Sequence, residues 1–443
     1  MTGSGAVLAH GLGSREDLPI PLHYAVIGAV VALLVSFLAL GVLWREPRLR
    51  PREAGWPLPA GVQRVLDARP LRTGLRVLGL VMAAYVVMAA TLGRDDALNP
   101  TAGTVYVLFW VGVPLLSVLL GPVWRLVNPL RGVHWVLSML LRTKPEKGLA
   151  LYPRWLGYYP AALSLLAFVW LELVAPENTS LRVLRTFFAF YLAVNLLGAT
   201  YYGSRWFGRA DGFEVFSSLA GRLSPLGRRP ADGQLVLRDP LSGVAGTPVA
   251  PGLFAVVGVL LGTTAYDSFS SSPWWVVRVQ ESSWNPRWLE TLALLASVAL
   301  VIGLFAGAAS LSGRGAGLPP SRAVAEFAHT LVPIVIGYVL AHYWSLLVII
   351  GQQTVIQLSD PLGNGSNWLG TGGRGIDSRL ADPTLVATLQ VCSVVAGHIL
   401  GVVLAHDRAI ALLPRRNAVL GQLPMLVAMV AYTVGGLTLL FAS

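Results

Sequence analysis

The sequence predicts an all-α bundle of about ten membrane-spanning helices, and three observations support this fold class. Hydrophobic residues make up 54% of the 443 residues and charged residues only 12%, roughly half of the charged share that is usual in soluble domains. The apolar residues form long uninterrupted blocks, close to the ~20 residues that a helix needs to cross the hydrocarbon core of a bilayer. The basic residues lie mostly between those blocks.

The apolar blocks define ten predicted spans. The spans cover residues 24–44, 77–92, 104–120, 155–174, 183–202, 249–266, 288–308, 323–350, 385–405 and 423–441. We therefore divide the chain into an N-terminal segment, two groups of five helices and the long segment between them. The N-terminal segment covers residues 1–23, the two groups of helices cover residues 24–202 and 249–443, and the segment between them covers residues 203–248. Within that segment, residues 233–238 have the pattern of a short hairpin strand.

The distribution of arginine and lysine predicts the orientation of the chain. Of the 33 basic residues, 25 lie in the segments that follow spans one, three, five, seven and nine. By the positive-inside rule these segments, residues 203–248 among them, are cytoplasmic, so both termini lie outside the cytoplasm. Topology thus explains the net charge of +11, and we expect no nucleic-acid partner. We predict a multi-pass protein of the cytoplasmic membrane with the lipid bilayer as its partner.

Two further features concern the N-terminal segment and the cysteine content. Residues 1–9 lack the basic and apolar regions of a secretory leader. The small residues before His10 resemble a cleavage site, so residues 1–9 could also be the remnant of a signal peptide. The single cysteine, Cys392, excludes an internal disulfide, a cysteine-rich zinc site and a covalently attached c-type haem.

Two connecting segments have patterns of their own. In residues 129–142 the apolar residues recur at helical spacing, which predicts an amphipathic helix lying at the membrane interface. Residues 351–382 form a glycine-rich extracytoplasmic loop with Asp360, Asp377 and Asp382. Glycine and Asp-Pro turns explain this composition, and no phosphate-binding motif is present.

Ionisable side chains inside a span are the candidate functional residues, because hydrocarbon solvates them poorly. Four of the seven histidines lie in spans eight and nine together with Glu326, and they are His329, His342, His398 and His406. Their positions along the two antiparallel helices place His329 level with His398, and Glu326 level with His406. A facing pair of imidazoles could ligate a metal ion, hold a b-type haem or relay protons. Alternatively, these side chains form a structural polar network.

A second candidate group lies toward the extracytoplasmic side. Glu172, Asp267 and His342 lie toward the outer ends of spans four, six and eight. The segment before span one contributes a further cluster, His10, Glu16, Asp17 and His23. Either set could bind a metal ion or another cation. The alternative is that the first set consists of carboxylates at the membrane interface and the second of solvated loop residues.

Three stretches carry a resemblance to a known family. They are HGLGSREDLPIP at residues 10–21, LAHDRA at residues 404–409 and YTVGGL at residues 432–437. The chain resembles a family of polytopic membrane proteins of actinobacteria and haloarchaea, some of which are labelled fenitrothion hydrolase. The resemblance implies a multi-pass membrane fold over most of the chain. The label implies organophosphate hydrolysis, but the sequence has neither a G-x-S-x-G elbow nor an H-E-x-x-H motif.

The function that the sequence favours is transport or permeation of a small solute or ion, with a proton-coupled metal ion as one candidate. Glu326, His329, His398 and His406 would form the inner half of a polar path, and Glu172, Asp267 and His342 the outer half. One alternative is a membrane-embedded enzyme or redox subunit with His329 and His398 as metal or haem ligands. Another is a structural subunit of a membrane complex. The cofactor stays undetermined between these interpretations.

Overall fold

The chain folds as a bundle of apolar helices. The computed structural model describes residues 18–414 and 419–441. Within these residues, nine helices are long and apolar enough to cross a membrane, and a tenth apolar helix, Tyr159–Leu173, is shorter. The predicted all-α class is confirmed. The fourth predicted span is the shortest in the structure, and the second begins earlier than predicted and covers 24 residues as Arg69–Leu92.

The helices are numbered in chain order. They are α1 (Leu22–Leu43), α2 (Ala60–Asp67), α3 (Arg69–Leu92), α4 (Pro100–Gly103), α5 (Val113–Leu120), α6 (Val123–Val127), α7 (Pro129–Leu140), α8 (Tyr159–Leu173), α9 (Leu181–Tyr202), α10 (Phe207–Ala210), α11 (Gly212–Ala220), α12 (Pro240–Ala245), α13 (Leu253–Ser270), α14 (Pro273–Glu281), α15 (Pro286–Arg314), α16 (Pro320–Phe327), α17 (Val332–Gln357), α18 (Pro383–Leu412) and α19 (Leu423–Leu440). A π-helical stretch, Thr104–Gly112, joins α4 to α5, and a tight 3₁₀ turn, Ala328–Leu331, joins α16 to α17.

A small antiparallel sheet lies at one end of the bundle. Its strands β1 (Trp56–Pro57), β2 (Leu226–Arg228) and β3 (Leu235–Leu237) are arranged in the order β1-β3-β2. Leu237 pairs with Trp56 on one side and with Leu226 on the other. The hairpin predicted around residues 233–238 is therefore confirmed, and it ties the segment after α1 to the segment after α11.

Contacts between connecting segments define the two ends of the bundle. At the end that carries the sheet, the Ala150 N–H donates a hydrogen bond to the Tyr201 carbonyl. We call this the arginine-rich end, because the basic segments of the sequence converge there. At the opposite end, the far end, the Gln357 amide donates to the Ala97 carbonyl. The helices run alternately between these ends, as the order of the apolar blocks predicts.

Glycine allows close helix packing between α17 and α18. A Cβ on Gly337 would lie 2.5 Å from the Ser393 carbonyl oxygen, and one on Gly397 would lie 2.7 Å from the Pro333 carbonyl oxygen. Such small-residue contacts are typical of helices that pack without a hydrophobic driving force. The α1 helix packs against α18 and α19, so the first helix joins the last two instead of staying with its sequence neighbours.

Two helical hairpins enter the bundle from the arginine-rich end. The first consists of α6 and α7 and has its tip at Asn128, and the second consists of α10 and α11 and has its tip at Asp211. The Tyr191 hydroxyl, halfway along the 22 residues of α9, donates to the Asp211 carboxylate over 2.6 Å. The second tip therefore lies level with the middle of α9, deep inside the bundle.

These hairpins correct two expectations from the sequence. Residues 203–248 are not simply a loop between two groups of helices, because α11 is almost entirely buried against α5, α6 and α8. Residues 129–142 do contain the predicted helix, α7. This helix, however, buries Gly132, His134 and Ser138 and packs against α3 and α9, so it forms one arm of an inserted hairpin.

Candidate functional site

A buried acid–imidazole pair lies toward the far end of the bundle. Asp267, near the end of α13, and His342, on α17, are 1% and 5% exposed. Their Oδ2 and Nε2 atoms are 2.9 Å apart, a normal hydrogen-bond distance. The pair joins two helices that are far apart in sequence.

Hydroxyl groups surround this pair. The Tyr343 hydroxyl donates to Asp267 Oδ2 over 2.7 Å, and Ser268 Oγ lies 3.2 Å from His342 Nδ1. Ser268 Oγ is also 3.1 Å from the Tyr338 hydroxyl. We call these five residues, Asp267, Ser268, Tyr338, His342 and Tyr343, the far-end cluster. Both nitrogens of the imidazole thus have a polar neighbour, which is what a proton relay requires.

Glu172 lies beside the far-end cluster, at the end of α8. It is 7% exposed, and within the described residues its Oε2 atom has no hydrogen-bond partner. It lies within electrostatic range of Asp267 and of the Tyr106 and Tyr343 hydroxyls. The structure thus brings together Glu172, Asp267 and His342, the three residues assigned to the outer half of the path.

The residues assigned to the inner half are arranged differently. Both carboxylate oxygens of Glu326 are occupied, one by Arg322 Nε at 2.6 Å and the other by the guanidinium of Arg408. Glu326 is therefore level with the segment around His406, as predicted. The ion pair with Arg408 joins α16 to α18 near the end of α18, and the ion pair with Arg322 lies within α16.

His406 and Asp407 hold the segment that follows α1. The two ring nitrogens of His406 lie 3.0 Å from Gln422 Oε1 and 3.0 Å from the Trp44 carbonyl oxygen. Asp407 Oδ1 accepts hydrogen bonds from the Trp44 indole and the Arg48 N–H over 3.1 and 2.7 Å. These contacts connect α18 with α1 and α19 at the arginine-rich end.

His329 and His398 are both buried, but the expected facing pair is not seen. His398 Nδ1 lies 2.8 Å from the Val394 carbonyl oxygen. Its Nε2 atom has no hydrogen-bond partner in the part of the chain that the structure describes. Across residues 18–414 and 419–441 neither a ring contact nor a hydrogen bond joins the two imidazoles, and no group of three or more His, Cys, Asp or Glu residues could hold a metal ion. Metal or haem ligation by this pair stays a prediction.

An apolar cavity lies between the two halves of the path that the sequence predicted. It is small and lies between α11, α13 and α17, between the level of His329 and the far-end cluster. Its lining is entirely apolar and includes Phe216, Val257, Val332 and Ile336. The polar path from Glu326 to Asp267 stays a prediction.

Of the N-terminal cluster, His23 lies within the described residues. His10, Glu16 and Asp17 lie outside the described residues. His23 is exposed, and its ring centroid lies 4.2 Å from that of Tyr24.

A second buried polar cluster, which the sequence did not predict, joins the tips of the two inserted hairpins. The Asn128 side-chain amide donates to Asp211 Oδ2 over 2.8 Å and to Glu214 Oε2 over 3.1 Å. Arg131 Nε and Nη2 donate to the two oxygens of Glu214 over 2.5 and 2.6 Å. Together with Tyr191, these residues form what we call the junction cluster.

Each tip residue also caps a helix. Asn128 Oδ1 accepts from the Leu130 N–H at the start of α7, and Asp211 Oδ1 accepts from the Phe213 and Glu214 N–H groups at the start of α11. The sequence carries signals for both caps. Asn before Pro, and Asp three residues before Glu, are typical of helix N-termini.

Aromatic rings fill the space between the two clusters. The Trp110 indole lies close to the Tyr343 hydroxyl of the far-end cluster. The Trp110 ring centroid lies 4.9 Å from that of Phe168 and 6.1 Å from that of Phe213. The Phe213 ring in turn lies 5.3 Å from that of Tyr191 in the junction cluster. We call Trp110, Phe168 and Phe213 the aromatic barrier.

The acids of the glycine-rich loop are occupied by local interactions. Asp377 accepts hydrogen bonds from Arg379, which lower the pKa of its carboxyl group to about 2. The Asp360 carboxylate accepts from the Asn364 and Gly365 N–H groups. These bonds stabilise turns, in agreement with the turn composition of residues 351–382.

Comparisons of the chain with models of protein families, with curated proteins and with solved structures find no match. The geometry of the chain's own residues therefore carries the functional argument.

Proposed function

We propose that the chain is a multi-pass protein of the cytoplasmic membrane through which protons cross the bilayer, alone or together with a small solute. In this proposal the arginine-rich end faces the cytoplasm and the far end faces outside. The positive-inside rule supports this orientation, and the nine long apolar helices support insertion in a membrane.

The observation that carries the proposal is the Asp267–His342 pair. Ionisable side chains deep in an apolar bundle are unfavourable, and they commonly mark pathways for protons or ions. A metal ion needs several oxygen, nitrogen or sulfur ligands, and no such group lies within the described residues. A proton needs only a donor and an acceptor at hydrogen-bond distance, and this pair at 2.9 Å provides both.

The proposed path leads from the far-end cluster to the junction cluster. Tyr343 and Trp110 connect the first cluster to the aromatic barrier, and Tyr191 lies on the other side of that barrier. The Asp211 carboxylate follows, at the tip of the second hairpin, and this hairpin extends to the arginine-rich end. This route replaces the one through Glu326, whose carboxylate is held in two ion pairs.

Proton flux into liposomes tests the proposal. The purified protein is reconstituted with a pH-sensitive dye inside, and valinomycin with a potassium gradient makes the interior negative. We expect the wild type to acidify the interior. Asp267→Asn and His342→Gln should slow this flux by about tenfold or more, because the loss of a charge-assisted hydrogen bond is worth roughly 1.5–3 kcal/mol.

Two further variants make the test specific. Tyr343→Phe removes one hydroxyl that donates to Asp267 and should slow the flux while it leaves the acid–imidazole pair in place. Asp377→Asn, in the glycine-rich loop, is the matched control and should leave the flux unchanged. Wild-type flux in a well-folded Asp267→Asn protein would contradict the proposal.

A further inference from the structure

The two inserted hairpins are held together at their tips by side chains. Asn128 and Arg131 belong to the first hairpin, and Asp211 and Glu214 to the second. Glu214 and Asp211 are 1% and 0% exposed. Four charge-assisted hydrogen bonds therefore cross the contact inside the bundle, where bonds of this kind are strong because water does not compete for them.

The Glu214 carboxylate has a cationic partner only while the hairpins touch. Glu214 takes both of its guanidinium bonds from the other hairpin, and Asp211 takes its amide bond from the same side. Separation would leave the buried Glu214 carboxylate without a cation, which is unfavourable unless water enters. The dry contact is therefore stable when closed, and it can open only if water enters to solvate the Glu214 carboxylate.

A second contact lies closer to the arginine-rich end. Ser117 Oγ, on α5, and Ser217 Oγ, on α11, are 2.8 Å apart, and both residues are 0% exposed. The Trp124 N–H, on α6, donates to the same Ser217 oxygen over 3.2 Å. Any separation of the hairpins that admits water from this end must also expose Ser217.

We propose that the junction cluster is a gate at the arginine-rich end of the path, with the Arg131–Glu214 ion pair as its latch. The inference rests on the proposed function for the position of the path. The hairpins that carry the gate are short, since α6 has five residues and α10 has four. Short, broken helices inside a bundle are the elements that commonly move in transport proteins.

A disulfide across the second contact tests the gate by locking it. Ser117→Cys and Ser217→Cys are introduced together in a Cys392→Ser background, and the pair is oxidised in the reconstituted protein. We expect oxidation to reduce the proton flux at least tenfold and a reductant to restore it. Ser217→Cys alone should not respond to the oxidant. Unreduced flux through fully cross-linked protein would overturn the gate.

Thiol labelling tests the same gate without any measurement of flux. With Ser217→Cys as the reporter in the Cys392→Ser background, a membrane-impermeant thiol reagent should react tenfold or more faster when Glu214→Gln removes the latch. Arg131→Lys keeps the charge but loses the two-pronged contact and should give an intermediate rate. Equal labelling rates in all three proteins would overturn the proposal.

A second reporter separates local opening from general unfolding. Thr433, on α19, is also 0% exposed, so Thr433→Cys should stay slow to react in the Glu214→Gln protein. Fast labelling at both positions would mean that the variant has unfolded, and would overturn the latch. Faster labelling at Ser217→Cys alone supports the gate, whether or not the wild type carries a proton flux. Absence of a proton flux in the wild type would instead refute the proposed function.

Discussion

The Arg131–Glu214 ion pair predicts that two destabilising substitutions partly compensate for each other when they are combined. Arg131→Gln removes both guanidinium bonds from Glu214 and leaves the Asn128 amide as its remaining side-chain donor. Because Glu214 is buried, removal of its cation should lower the free energy of unfolding by roughly 3–5 kcal/mol. Glu214→Gln should have a cost of similar size, because the guanidinium of Arg131 is then left without a carboxylate.

The double variant distinguishes a latch from ordinary packing. With both charges removed, no buried ion is left unpaired, so Arg131→Gln/Glu214→Gln should be more stable than either single variant. The expected coupling between the two substitutions is therefore large, whereas independent sites would give additive losses.

Unfolding in mixed micelles, titrated with a denaturing detergent, measures these free energies. The exposed pair Arg182–Glu177 is the matched control, with side chains that are 76% and 65% exposed. Its single and double variants should show no measurable change, as is usual for surface ion pairs. A double variant at Arg131 and Glu214 that loses the sum of the two single losses would refute the reasoning.

Three other predictions concern single positions. Gly79→Ala should prevent correct folding, since its Cβ would lie 1.8 Å from a backbone carbonyl oxygen of the first hairpin. Gly74→Ala is the control, because a Cβ at Gly74 has open space around it. The yield of monodisperse protein should fall for Gly79→Ala and should rise or stay unchanged for Gly74→Ala. Asp407→Asn should speed trypsin cleavage after Arg48, because it weakens the bonds that hold that segment; a cleavage time course measures the effect. His398→Leu should leave the free energy of unfolding unchanged or raise it, because the Nε2 atom has no partner in the described residues to lose; lower stability together with lost metal content would instead favour ligation.

The hydrophobic pattern was sufficient to predict the class, the number of apolar helices and their alternation. Long apolar blocks leave few alternatives to helices, since every backbone polar group must be satisfied internally. The same reasoning identified the outer candidates. Glu172, Asp267 and His342 are conspicuous among apolar neighbours, and the structure brings them together.

The pairing of His329 with His398 depended on depth alone, which is why the sequence could not decide it. Depth follows from counting residues, but the direction of a side chain around the helix axis depends on regular geometry. The tight turn Ala328–Leu331 interrupts that geometry between α16 and α17, so the direction in which His329 points could not be derived from its position in the span.

The junction cluster was missed for a different reason. Apart from Tyr191, its residues lie in segments with enough polar and basic residues to be interpreted as cytoplasmic connections. Arg131 in particular contributed to the positive-inside count. The cap signals at Asn128 and Asp211 indicate where helices begin, but they do not indicate that the two tips meet inside the bundle. That contact depends on tertiary packing against α8 and α9.

The potential at which flux stops in proteoliposomes tests the proton path itself. The outer pH is changed at constant sodium and chloride, and the potassium diffusion potential that gives zero net flux is recorded for the wild type. Movement of protons alone predicts that this potential shifts by about 59 mV for each pH unit, the value for a single charge. A zero-flux potential that ignores pH and follows the sodium or chloride gradient would contradict the path through Asp267 and His342.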